Sequence, residues 1–221
     1  MVSPIIPGTQ FFDFTFHSQI AKSPIKIDGD LEEWDPACLV PDLMHLIGKI
    51  PFAEVYLTWD YDNIYIGYEV KNKINPVDVD PVRFWSKDCM ELWFDLRNEK
   101  PVRAYNEHCH HFFLLPKGCK KDNQLATAGE CREPGSAIQE TIYDQEEIEI
   151  VSTIKPKGYV IEARFPRSVI PTYDPSEHPI IGFNYHINNT DGKAQWWSCG
   201  TDFARHVDPS TWGSVELAEK I

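Results

Sequence analysis

The chain has 221 residues, 42% hydrophobic and 25% charged, the make-up of a globular protein. At this length roughly 70% of the unfolded surface can be buried, so no cross-link is required. A net charge of −13 argues against nucleic-acid backbones and anionic membrane surfaces as partners. Six cysteines without a CxxC pair exclude a zinc ribbon and a haem-attachment motif.

In chain order, the opening MVSPIIPGTQFFDF lacks a basic region followed by an apolar run, the pattern of a secretory signal. No stretch reaches the roughly 20 apolar residues of a membrane helix. A cytoplasmic protein and an exported one that has lost its leader both remain open. Residues 12–16 alternate as a strand does. Residues 42–48 suit one helical turn. Residues 54–59 and 64–68 read as a hairpin closed by an Asp/Asn-rich turn. Residues 80–88 form a loop carrying Arg83 and Trp85. Strands follow at 89–96 and 110–115, the second stopped by Pro116-Lys117-Gly118. Residues 117–145, rich in Gly, Lys, Asp and Glu, read as a long loop. A second hairpin covers 148–154 and 159–165. A short helical turn is predicted at 168–173, and strands at 180–188 and 212–217 complete the chain.

With 17 prolines breaking the chain and 7 Trp, 9 Tyr and 12 Phe suited to pleated surfaces, this pattern predicts an all-β fold. It is a mostly antiparallel β-sandwich of about ten strands with one or two helical turns, in a single domain over 1–221. A parallel βαβ architecture is disfavoured because crossover helices are missing.

Alternation then separates the faces. Met90, Leu92 and Phe94 must face the core, which turns Glu91, Trp93 and Asp95 outward. Likewise Phe183, Tyr185 and Ile187 oppose Asn184, His186 and Asn188, a row of polar tips that is either a solvated face or a ligand-reading one. Trp85 either plugs the end of the sandwich or offers an exposed indole to the C–H face of a sugar. Glu91 would then accept from hydroxyls and Arg83 donate to them. The run Glu107-His108-Cys109-His110-His111 invites a metal, but no third ligand stands at a suitable spacing. Cys89 reads as a buried free thiol. No nucleophile elbow, HExxH or glycine-rich phosphate loop is present, and no carboxylate pair stands out, so no enzyme is predicted.

Six segments resemble family 9 carbohydrate-binding modules. These are Ile27-Asp28-Gly29-Asp30-Leu31-Glu32-Glu33-Trp34; residues 55–66; Trp85-Ser86-Lys87-Asp88-Cys89-Met90-Glu91-Leu92-Trp93-Phe94-Asp95; residues 158–163; Ile181-Gly182-Phe183-Asn184; and Asp208-Pro209-Ser210-Thr211-Trp212-Gly213. The resemblance implies a sandwich that binds a mono- or oligosaccharide without catalysis, between two aromatic rings, with structural calcium in some members. It implies that Trp85 is one ring, that Glu91 binds hydroxyls, that His186 is a polar sugar contact, and that His110 or His111 is a basic contact. The second ring is expected just before Asp208, where this chain has Phe203-Ala204-Arg205-His206-Val207 and no tryptophan, leaving Phe203 or His206 as replacement. Asp60, Asp62 and Asp95 are the calcium candidates. Related sandwiches that bind haem through Met and His supply a second expectation, electron transfer, with Met44, His108 and His110 as conceivable ligands and Met90 facing the core. A structural domain with a lost ligand site is the third.

Overall fold

A computed structural model describes residues 14–118, 126–132, 140–143 and 146–219. Twelve strands among them form two sheets: β1 (Thr15–Gln19), β2 (Ala53–Trp59), β3 (Asn63–Val70), β4 (Cys89–Asp95), β5 (Cys109–Leu115), β6 (Thr127–Arg132), β7 (Glu140–Tyr143), β8 (Glu149–Lys155), β9 (Gly158–Pro166), β10 (Ile180–Asn188), β11 (Ala194–Trp196) and β12 (Gly213–Ala218). The larger sheet runs β1-β12-β10-β4-β5-β6-β7, with β11 also paired to β10. The smaller runs β2-β3-β9-β8. Every strand pairing is antiparallel except that of β1 with β12.

The core lies between the sheets and is built by period-two alternation. Met90, Leu92 and Phe94 of β4 sit in register with Ile187, Tyr185 and Phe183 of β10. They pack in one cluster with Leu57, Ile66, Ile161 and Phe165 from the other sheet. The predicted all-β sandwich is thus the fold observed. Short 3-10 turns replace helices, at Pro36–Cys38, Met44–Ile47, Phe84–Ser86 and Pro209–Thr211. Residues 168–173, expected to be helical, form only hydrogen-bonded turns, because Pro171 cannot donate to a helix ladder.

The stretch 117–145 departs from expectation. It carries β6 and β7, with Thr127–Ala128 laid on Leu115–Leu114 and Gly129 on Phe113. Pairing with the free edge of β5 satisfies backbone groups whose side chains show no clear alternation. β11, three residues long, is likewise too short to register as a sequence pattern. Residues 12–13 of the first predicted strand lie outside the described residues, as does Cys119. Cys38, Cys89, Cys109 and Cys199 are buried free thiols.

The opening motif proves to be a seal on the outward side of the smaller sheet. The buried carboxylate of Glu162 accepts from the backbone N–H groups of Asp28, Gly29 and Asp30 at 3.0, 2.6 and 3.1 Å. Its other oxygen accepts from the Trp34 indole at 2.7 Å. Gly29 sits at φ +86°, a left-handed conformation that favours glycine. Gly67, paired with Glu162, makes room for the indole, since a Cβ there would stand 2.9 Å from Trp34.

Candidate functional site

The outward side of the larger sheet is arranged differently. In register across β10, β4 and β5, His186 neighbours Glu91, and Asn184, Trp93 and His111 form the next row. These side chains lie on the face opposite the core, and two loops fold over them.

The first loop, 71–88, presents Trp85. Phe84 anchors it, buried and stacked on Phe113 at 4.3 Å and 11°. That leaves Trp85 edge-on to Phe84 at 5.0 Å and 46% exposed. The loop is tied down by Asp88, which takes the Lys73 ammonium at 2.6 Å, the Asp78 N–H at 2.9 Å and the Thr190 hydroxyl at 3.0 Å. Asn188 adds a strap, donating to the Trp85 carbonyl at 3.0 Å.

The second loop, 197–212, is held from beneath. Asn184 donates to the Cys199 carbonyl at 3.1 Å and accepts from the Ser198 N–H at 3.0 Å. Asp208 caps the turn at Pro209–Thr211. The Trp212 indole donates to the Arg205 carbonyl at 2.7 Å. This brings the Arg205 guanidinium over the face of Trp93, 5.4 Å from the ring centre, where a cation is attracted to the ring quadrupole.

Between the loops lies Glu91. His111 Nε2 donates to its Oε2 at 3.1 Å. Its Oε1 has only looser ion contacts, to Arg205 at 3.7 Å and His186 at 3.8 Å, and no hydrogen bond. Burial pushes its carboxyl pKa up. The His111 hydrogen bond and the charges of His111, His186 and Arg205 outweigh that and hold it below the usual range, so it is an anion at neutral pH. Burial, with help from Arg205, lowers His186 to about 4. A neutral His186 whose Nδ1 lies 3.3 Å from the Asn188 amide accepts there, which puts its proton on Nε2. That Nε2, like His111 Nδ1 and Arg205 Nε, is buried without a partner. Unpartnered donors and an unpartnered acceptor are therefore buried together around Glu91. Trp196, half-buried, stacks on His186 at 6.0 Å and 13° and carries the Lys49 ammonium at 4.2 Å.

Trp85, Glu91, His111 and His186 are brought to one place. Asn184 and Asn188 share that face, but their amides hold the two loops. Phe203 is half-buried against the cluster of Trp93, Cys109, Cys199 and Trp212, and His206 is exposed on the same loop. Arg83 pairs with Asp80 at 3.2 Å at the surface rather than turning inward. His110 faces the other way, since alternation along β5 puts it with Phe112; it stacks on that ring and bonds to Glu130 at 2.8 Å.

The calcium candidates do not share a site. Asp60 closes the β2–β3 turn, accepting from the N–H groups of Asp62 and Asn63 and the Tyr65 hydroxyl. Asp95 accepts from the N–H groups of Arg97 and Glu99 after β4. Both make the local bonds that turns draw from aspartate. Among the described residues no three His, Cys, Asp or Glu side chains gather as a metal site. The methionines considered for haem are buried, Met90 within the main core.

Sequence reasoning missed Arg205, Trp93 and Trp196. The one available signal was a cation in the slot of the expected aromatic ring, two residues after Phe203. Nothing in spacing told its side chain to lie over Trp93.

A family model described as carbohydrate family 9 binding domain-like matches residues 27–220. The chain belongs to that family. Two curated relatives, the endo-1,4-beta-xylanases A of Thermotoga neapolitana and Thermotoga maritima, are each 24% identical over 200 residues, 86% of this chain. The matched part is 17% of their length, so this family 9 domain corresponds to one portion of those proteins. Two solved structures of a family 9 carbohydrate-binding module from Caldicellulosiruptor kristjanssonii share the fold. The complex with glucose has TM-score 0.60 at 18% identity, covering 94% of this chain and 97% of that one. The complex with cellotriose has TM-score 0.61 at 17%, covering 94% and 95%. Among the described residues, no helix of the family 9 domain is long and apolar enough to cross a membrane.

Proposed function

We propose that this domain binds carbohydrate without catalysing its conversion, in the hollow between Trp85 and the loop carrying Arg205. The observation that carries this reading is the group of buried, partnerless polar atoms around Glu91, beside an exposed indole. Buried polar groups are normally satisfied within the protein, and exceptions call for a partner from outside. A sugar supplies one, since each hydroxyl both donates and accepts while the C–H face of the ring covers Trp85. The glucose and cellotriose complexes of the similar modules support the ligand class.

The same hollow favours binding over hydrolysis. A glycosidase needs two carboxylates flanking the bond, roughly 5–10 Å apart. The side chains that the geometry sets against the Glu91 oxygens are His111, His186 and Arg205, none of them a carboxylate. Affinity should be micromolar to millimolar, because a shallow site buries little area against the ordering terms.

Titration calorimetry with glucose and cellotriose tests this. Saturable heat is expected, with Trp85→Ala weakening it about tenfold, near 1.4 kcal/mol. Its melting temperature should fall only slightly, since about half the residue is already in water. A folded protein that takes up no mono- or oligosaccharide would sink the proposal.

A further inference from the structure

We infer that the sugar is an acidic one, a uronate, whose carboxylate is clasped by Arg205. This rests on the sugar-binding reading above and narrows it to a substrate class.

Arg205 is firmly placed and yet left unused. Its backbone is fixed at both ends, its N–H donating to the Phe203 carbonyl at 2.8 Å and its own carbonyl accepting from Trp212. The guanidinium plane is supported by Trp93. The side chain is only 14% exposed, yet its Nε–H has no partner and its nearest carboxylate oxygen stands at 3.7 Å. An arginine serving merely to neutralise Glu91 would close to about 2.8 Å in a two-pronged pair. Instead Glu91 gives its hydrogen-bonded oxygen to His111.

A guanidinium is all donor, five N–H groups in a rigid planar fork. A sugar hydroxyl engages that fork poorly, one donor at a time. A carboxylate matches it with two parallel bonds. The surroundings agree in sign. The charges acting on His186 are Arg205, Glu91 and Lys49, and those acting on the exposed His206 are Arg205, His111 and Glu91. Arg205, Lys49 and the imidazoles of His111, His186 and His206 thus stand about Glu91, on a protein whose net charge is −13. Glu91 keeps its role toward hydroxyls while the acid group lies on the Arg205 side.

The test is calorimetric titration of the full chain with D-glucuronate, D-glucose and glucose 6-sulfate. Glucuronate should bind at least tenfold more tightly than glucose. The sulfate can also offer two oxygens to the fork, but carries them on a longer arm from the ring, and it should still bind more tightly than glucose. Arg205→Met, which keeps the stem over Trp93, should bring glucuronate down to the level of glucose. Arg205→Lys, retaining charge without the fork, should keep part of the preference. The wild-type ratio is decisive even if a variant fails to fold. Glucose binding as tightly as glucuronate and the sulfate, or a preference for the acidic sugars surviving in folded Arg205→Met, overturns the inference while leaving sugar binding intact. No heat with either the acidic or the neutral sugars overturns the sugar-binding reading, and the inference with it.

Discussion

Glu162 and Glu91 are both buried carboxylates on the outward sides of the two sheets, and their surroundings differ in one respect. Glu162 meets four donors, three backbone amides and an indole, distributed over both its oxygens. Glu91 meets one hydrogen-bond donor, and its second oxygen is left without one. A fully satisfied buried carboxylate organises the chain around it, while a half-satisfied one leaves an acceptor open. The comparison separates two glutamates that both lie in strands of the family pattern, one closed off by the chain around it and one left with an open acceptor.

Removing the satisfied carboxylate should do the most damage. Glu162→Leu strands four donors, and stability should fall by about 4 kcal/mol, since each orphaned group costs on the order of 1 kcal/mol or more. For a chain of this size that lowers the melting temperature by roughly 10 °C. A thermal scan reads this directly, and a shift below about 3 °C would show that the outward seal matters little to the fold.

The next effect belongs to the site. In the unfolded chain a histidine titrates near 6.5, whereas His186 in the folded protein is lowered to about 4. Between those values the unfolded state binds the additional proton, so stability falls as pH falls across that window, by up to about 3 kcal/mol. Glu91, held below its usual range, adds a loss in the same direction at the acid end. Urea denaturation at pH 7, 5.5 and 4.5 measures the slope. In His186→Phe the slope should flatten, and an unchanged slope in that variant would remove His186 from the account.

These differences show what a sequence can and cannot disclose. Alternation along 89–95 and 180–188 is a local property, so it is enough by itself to assign Glu91 and His186 to the outward face. Turn chemistry at Asp60–Asn63 is equally local. β6 and β7 arise because β5 has an open edge, which no pattern in 117–145 records. Arg205 enters the site because Trp212 grips its carbonyl and Trp93 lies beneath it, and the second of these contacts joins residues far apart in the chain. The row Asn184, His186, Asn188 was legible as a row. Which of the three keeps a free nitrogen depends on loops folded over it. Arg83 was drawn away by Asp80, three residues distant, a pairing that an exposed loop permits and spacing alone does not demand.

The smallest expected effect sharpens the comparison most. Glu91→Gln keeps an acceptor for His111 and places an amide where a partnerless oxygen stood, so no existing hydrogen bond is lost. The charge removed is favoured in the fold, since its attraction to Arg205 and the histidines outweighs its desolvation, so some stability goes with it. Stability should therefore fall by on the order of 1 kcal/mol, while sugar affinity falls because one hydroxyl acceptor has become a donor. In Glu162→Gln the same exchange turns an amide N–H toward the Trp34 indole or a backbone N–H, donor against donor, and about 2 kcal/mol should be lost. Chemical denaturation of the two variants side by side compares one chemical change in two settings. Equal losses would mean that Glu91 is as much a structural group as Glu162, and that the hollow around it is packing rather than a binding site.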